Sequence, residues 1–293
     1  MPTDPISPAS IARARPRPLS ELRATLANAT QDEEFSRLIE ELVDDTRAGA
    51  RQVADRARRQ LITRAAERNR LADLLLLRDE LVAEGVRGVA GVDEVGVGPL
   101  AGPVVAAAVV LPEDVELIGL DDSKKVPRAR RERLAAEIHS IALGVGIGEV
   151  SPEEIDQRGV YQAGLEAMRR AVASLSRVTE VGHLLVDART VPGVDLPQTP
   201  IVKGDAKDAS IAAASIVAKV HRDAHMHVLG ARYPAYGFER HMGYGTEDHM
   251  AALRLHGPCP VHRRSFAPVA EAESRHARAA NTDARFASGS PSA

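Results

Sequence analysis

The stretch GVAGVDEVGVGPLAGPVVAAAVVL, residues 88–111, decides the fold. Asp93 and Glu94 sit inside a first apolar run, Gly96, Gly98 and Gly102 follow, and residues 103–111 form a second run. Continuous apolar runs of this length suit strands buried on both faces, as in a sheet covered by helices on each side. An ionised carboxylate in such a strand is costly unless it is paired or holds a cation. Neighbours in a strand point to opposite faces, so one strand aims both acids at one point only where it ends, and the glycines mark such an end. They do not make a dinucleotide fingerprint, because Gly102 stands one residue late and the next segment is a strand where a helix N-terminus is required. They read as a tight turn whose backbone lets a ligand approach closely.

Working outward, the same texture returns. IALGVGIGEV (141–150) and HLLVDA (183–188) read as buried strands, IVK (201–203) as a short one, and residues 128–138, 160–175 and 209–229 as helices. Ser151-Pro152-Glu153-Glu154 carries a capping-box pattern and predicts a short helix. Asp187 closes one strand and Asp205 follows another, so four acids stand at the ends of apolar strands. That is the oxygen-rich set hard divalent cations require, and two such ions roughly 3.5–4 Å apart stabilise the attacking and leaving oxygens of a phosphodiester. A softer metal is disfavoured: His221 and His225 stand at i,i+4 without a cysteine or an HExxH glutamate, and read as exposed helix histidines. Around the acids lie Asp122-Ser123-Lys124-Lys125, Lys203, Lys207, Lys219 and His262-Arg263-Arg264, groups that together point to a polyanionic ligand.

The chain has 293 residues, 44% hydrophobic and 27% charged, with net charge -3, which is ordinary globular composition. Its one cysteine, Cys259, cannot form an internal disulfide, so a protein that is intracellular, or at least indifferent to redox compartment, is expected. No apolar run is long enough to cross a membrane. Of 38 basic residues only five are Lys, namely 124, 125, 203, 207 and 219. Of eight aromatic rings five (Tyr233, Tyr236, Phe238, Tyr244, Phe266) fall in one 34-residue stretch, where a ring could stack on a base or sugar. Residues 1–18, with five Pro, read as a disordered lead rather than a transit peptide, whose amphipathic helix the prolines oppose. Residues 19–87 read as a helical extension of two or three amphipathic helices, 88–269 as the domain that carries the acids, and 270–293 as a disordered tail. Residues 1–88 hold 15 Arg against 15 Asp+Glu, so the arginines of 51–70 read as a solvated face.

GVDEVGVGPLAGPVVAAAVVL, LDDSKK, LLVDA, VKGDAKDASIAAASIVAKVHRD, YPAYGFERHMGYGT and HRRSFAPV, in this order, closely resemble bacterial ribonuclease HII over about 180 residues. The resemblance implies a ribonuclease H-like α/β fold, a five-stranded mixed sheet flanked by helices, in a cytoplasmic monomer. It implies an endoribonuclease that cuts the RNA strand of RNA/DNA hybrids and single ribonucleotides in duplex DNA with two ions of Mg²⁺ or Mn²⁺, leaving 3′-hydroxyl and 5′-phosphate ends. The family's metal-binding acids fall on Asp93, Glu94, Asp187 and Asp205. Its nucleic-acid contacts fall on Gly96, Val97, Gly98, Ser123, Lys124 and Tyr244, the last packing on the sugar at the RNA–DNA junction. Two positions depart from the pattern: Val97 stands where the family has an arginine between the glycines, and Met242 where it has a lysine. Both remove positive charge, which motivates an alternative reading as a binding protein with impaired turnover. A DNA nuclease of the same fold is disfavoured by Tyr244 and the intact Asp-Ser-Lys-Lys loop.

Overall fold

A computed structural model of the chain describes residues 17–29 and 31–288, with side chains to 278, and divides into two compact units, one up to Asn69 and one from Arg70 onward. The expected lead at 1–16 lies outside the described residues. In the first unit α1 (Leu19–Asn28), α2 (Asp32–Val43) and the start of α3 (Ala50–Ala83) enclose Leu22, Leu26, Phe35, Leu38, Leu42, Ala54 and Ala57. These recur three and four residues apart, the spacing of one helical face. The division falls inside α3 rather than at residue 87, because Leu71, Leu74 and Leu75 already belong to the core of the second unit.

That second unit is built on a sheet in the order β3-β2-β1-β4-β5, from β1 (Val89–Val95), β2 (Val104–Val110), β3 (Gly144–Val150), β4 (His183–Asp187) and β5 (Gln198–Ile201). β1, β2 and β3 are antiparallel in turn, whereas β4 runs parallel to β1 and β5 parallel to β4. Every residue of β2 is buried because both faces are covered. Val105, Ala107 and Val109 pack with α4 (Arg128–Ile141) and α7 (Ala209–Arg232). Val104, Ala106 and Ala108 pack under α6 (Val160–Leu175), which follows the short capping-box helix α5 (Pro152–Arg158). The glycines of β3 have a packing cause: a Cβ at Gly146 or Gly148 would lie 2.2 or 2.1 Å from a carbonyl oxygen of α6.

Two boundaries differ from expectation. β5 ends at Ile201, the partner of Asp187, and Lys203 turns away in a left-handed conformation (φ 58°) instead of extending the strand. Residues 270–288, read as a tail, continue helix α10 (Ala267–Ser288). Its first turns are anchored by Val269 and Ala272, which pack with Leu100 and with Leu253 of α9 (Glu247–His256); four-residue α8 (Phe238–His241) precedes α9. Alanine-rich sequence then propagates a nucleated helix.

The tightest contact beneath the acids is at Gly91, where a Cβ would lie 1.9 Å from the Ser210 carbonyl carbon on α7. Gly91→Ala should cost about 3 kcal/mol or more in denaturant unfolding. Gly164→Ala, in α6 with 3.9 Å of clearance, should be neutral or stabilising; equal effects would refute close packing as the reason for Gly91.

Candidate active site

Strand alternation separates the acid pair. Asp93 pairs with Ala107 and Glu94 with Ala106, so Asp93 lies on the α7 face and Glu94 on the α6 face. They share one neighbourhood because β1 stops one residue later and β4 ends beside it: Val92 pairs with Val186, which brings Asp187 to the same rim. Asp187 accepts the Gly204 backbone N–H at 2.7 Å, which holds Asp205 alongside. The four predicted acids therefore come together at one end of the parallel strand pair, as a crevice outside strand carboxyl ends requires.

Their electrostatics follow from this crowding. Burial raises Asp93 well above the usual carboxylate range, and the charges of Glu94 and Asp187 push it further; hydrogen bonds from Ser215 and the Glu94 N–H oppose the shift. Burial also raises Glu94, against the Arg189 guanidinium at 3.6 Å, and one Glu94 oxygen (Oε2) is buried without a partner. Asp205 is raised by burial and by Asp122 and Asp187, while Lys124 Nζ stands 4.0 Å away and opposes. Like-charged carboxylates gathered in low dielectric, one with an unused acceptor, fit a hard divalent cation by both charge and donor type. Among the described residues no three His, Cys, Asp or Glu side chains are grouped closely enough to hold a metal ion as they stand; a cation bound here would have to draw on Asp93, Glu94, Asp187 and Asp205 together.

The flanking groups sort into two kinds. Lys124 is largely exposed and faces the acids, and Lys203 and Lys207 flank Asp205 in solvent. Ser123 is buried, its hydroxyl hydrogen-bonded to that of Ser215 at 2.9 Å and so tying the loop to α7. Lys219 is taken up by Asp223 at 2.7 Å. His221 and His225 are not free helix histidines either: both rest on Glu149 of β3, at 2.6 and 3.4 Å.

Arg263, read among the groups that point to a polyanionic ligand, is fully buried, and so is Arg222 on α7. Arg263 donates to the carbonyls of Gly96 (2.6 Å), Val97 (3.0 Å) and Gly102 (2.9 and 3.0 Å). Arg222 donates to those of Ala101, Pro103 and Met242. Burial and the neighbouring Arg222 charge work against the Arg263 cation, and carbonyl oxygens replace its lost water. Two guanidiniums thus fix the glycine turn and the Met242 backbone. Met242 itself packs against the cluster around Ala101 and Met226.

Tyr244 alone of the late aromatic cluster is well exposed, at 43%, and its ring lies 3.7 Å from where a Cβ on Gly98 would be. Tyr236 and Phe238 are stacked and buried. His262 Nδ1 accepts the Cys259 N–H, so its Nε2 carries the proton and donates to His249 Nε2 at 3.0 Å; His249 Nδ1 then donates to the Tyr244 carbonyl at 2.9 Å. Burial lowers these imidazoles to about 3 for His262 and about 4 for His249, and they stay neutral. Ser215, Arg189, Arg222 and His249 carry no sequence signal that separates them from ordinary polar residues; their roles come from where packing places them.

A family model described as ribonuclease HII matches residues 90–269, and one described as the ribonuclease HII N-terminal domain matches 19–77. The chain is 58% identical over 207 residues to ribonuclease HII of Geobacillus thermodenitrificans, covering 71% of this chain and 79% of that protein. It is 53% identical over 232 residues to that of Geobacillus kaustophilus, covering 79% and 88%. Its fold matches the crystal structure of ribonuclease H2 from Pyrococcus horikoshii with a TM-score of 0.56 at 29% identity, covering 65% of this chain and 99% of that one.

The arginine clamp separates two adjacent residues. Arg263→Lys, which loses carbonyl contacts in a dry site, should destabilise by about 2–4 kcal/mol in urea unfolding. Arg264→Lys, at an exposed pair with Glu273, should change stability by under about 0.5 kcal/mol. Equal losses would refute the clamp.

Proposed function

The chain belongs to the ribonuclease HII family, and from that membership and the convergent acids we propose that it cuts the RNA strand of RNA/DNA hybrids and single ribonucleotides embedded in duplex DNA. Ribonuclease H hydrolysis of nucleic acid is the family's activity; the site residues and the finer substrate choice are our reading. The observation that carries it is the gathering of Asp93, Glu94, Asp187 and Asp205 at one sheet end, with an acceptor oxygen of Glu94 left over. Two ions of Mg²⁺ or Mn²⁺ held by these acids would supply Lewis-acid stabilisation of the phosphoryl oxygens and a readily deprotonated water.

The protein's own groups bind and orient. Lys124, exposed beside Asp205, offers its ammonium to the scissile phosphate, while buried Ser123 keeps the loop that carries it in place. The Gly96–Gly98 backbone, close beside Tyr244, can meet a ribose 2′-hydroxyl, and the Tyr244 ring packs on the sugar. Water attacks phosphorus, the bond to the 3′-oxygen breaks, and that oxygen leaves as a hydroxyl, giving 3′-OH and 5′-phosphate ends. Among the described residues no helix is long and apolar enough to cross a membrane; a cytoplasmic monomer working on DNA is our reading from the family resemblance alone. The reading as a binding protein with impaired turnover is disfavoured, because a relic would have no reason to keep four repelling carboxylates together.

Full-length protein with Mg²⁺ or Mn²⁺ should cleave a duplex with one ribonucleotide and an RNA/DNA hybrid but not plain DNA, and Asp93→Asn should lower kcat by at least about a hundredfold. Failure to cut either ribose-containing substrate would sink the proposal. Val97→Arg returns a cation to a residue 36% exposed. It should tighten duplex binding at low salt and steepen the log K against log salt slope by about 0.9; unchanged binding and cleavage would show that side chain 97 does not reach the substrate.

A further inference from the structure

The α6 side of the acid cluster holds an arginine whose donors the fold leaves unused. Arg189 lies two residues past Asp187, on a turn with an uncommon backbone. Ala188 is left-handed (φ 58°), its N–H donates to the Ile201 carbonyl at 2.9 Å, and the Arg189 N–H turns back to the Asp187 carbonyl at 2.7 Å. An alanine in that region carries a conformational cost that a straight continuation of β4 would avoid, and such cost collects where a side chain has to be aimed. Here the turn brings the Arg189 guanidinium within 3.6 Å of Glu94 and 5.2 Å from the centroid of the Tyr161 ring, at the start of α6. Neither contact satisfies it. The ion pair is longer than a charge-assisted hydrogen bond, and among the described residues the guanidinium donates no hydrogen bond. Arg170, on the same helix as Tyr161, is the contrast: Glu154, Glu166 and the Glu149 carbonyl take its donors.

We propose that Arg189 is a substrate-binding residue of the active site, whose guanidinium takes a backbone phosphate of the strand being cut on the α6 side of the acids, opposite Lys124. The Arg189 side chain is 33% exposed and Tyr161 58%, so the pair opens to solvent at the rim where the four acids meet. Stacking on a ring fixes the guanidinium plane and leaves its edge free, and that edge is a fork that matches two phosphate oxygens. Lys124, beside Asp205, is a point charge on the other flank. A strand laid across the acids therefore meets a cation on each side, and of the two only Arg189 is held in a set orientation. In the free protein the guanidinium offsets part of the repulsion at Glu94. With the acids neutralised by divalent cations Glu94 holds it less, and the fork is left to the phosphate. The choice of a nucleic-acid phosphate as occupant rests on the reading given under Proposed function.

The test uses the full chain with Mg²⁺ and reads binding apart from turnover, by fluorescence anisotropy on a short, ribose-free DNA duplex. Arg189→Gln should weaken binding at low salt about fivefold or more and reduce the log K against log salt slope by about 0.9. On a duplex with one ribonucleotide it should raise KM about tenfold with kcat within about threefold, as loss of a contact made equally in ground and transition states does. Arg189→Lys keeps the charge without the fork, so it should retain the slope and give an intermediate KM. Arg177→Gln, at an exposed arginine just past the other end of α6, should leave affinity and KM within about twofold. A guanidinium that serves only as a counter-ion to Glu94 moves the melting temperature and not these readings. Affinity, slope and KM unchanged in Arg189→Gln, with native circular dichroism, would overturn the proposal. Failure of the unsubstituted chain to cleave, with the binding difference intact, would instead count against the catalytic reading and leave the phosphate contact standing.

Discussion

Like charge held together out of water is the constraint on which this structure depends. Asp93 is 6% exposed, Glu94 and Asp187 both push its proton affinity up, and such a group stays where it is only if its surroundings cannot relax away. The rigidity comes from the register of β1 with β4, the Asp187–Gly204 hydrogen bond and the Ser215 hydroxyl. Covering both faces of β2 completes it, because a strand without a solvent face cannot slip by one residue without driving every side chain into the wrong layer. Arg189 and Lys124, one on each side, offset part of the repulsion without quenching it. Burial and mutual repulsion therefore disfavour the ionised form of these acids, and a cation is what their donor set needs to hold them as carboxylates.

The acids were legible in sequence because an ionisable residue inside an apolar run has no ordinary packing role, and the helices and strands because their periodicities differ. The buried arginines were not. His262-Arg263-Arg264 reads as one basic patch, yet Arg263 is enclosed by carbonyls while Arg264 reaches Glu273 at the surface. Nothing local distinguishes them; the difference comes from a loop 161 residues upstream that folds over one of them. Ser123 shows the same thing, since a serine between an acid and two lysines gives no local sign of its bond to Ser215, 92 residues away. The end of β5 and the length of α10 depend equally on distant partners, Asp187 for one and Leu100 with Leu253 for the other. What sequence misses here is long-range satisfaction of polar groups, not chemistry.

Net charge is uninformative in a related way. Equal numbers of Arg and acids in the N-terminal segment describe a neutral object, but in the structure ion pairing withdraws some arginines and leaves others in solvent. Only the arrangement tells which.

The same distinction clarifies the two departures from the family pattern. The Val97 carbonyl is held by Arg263 and the Met242 carbonyl by Arg222, so at both positions the chain path is fixed through the backbone. A clamp on carbonyl oxygens is indifferent to the side chain, provided the residue tolerates its local φ, and Met242 at φ 51° is held in a left-handed conformation that few side chains adopt unaided. Substitution at these sites therefore alters the charge presented to a ligand while leaving the turn, and the Tyr244 ring packed against it, where they were. The loop can vary in surface charge without loss of geometry because the residues that shape it, Arg222 and Arg263, are buried away from any ligand that meets its outer side.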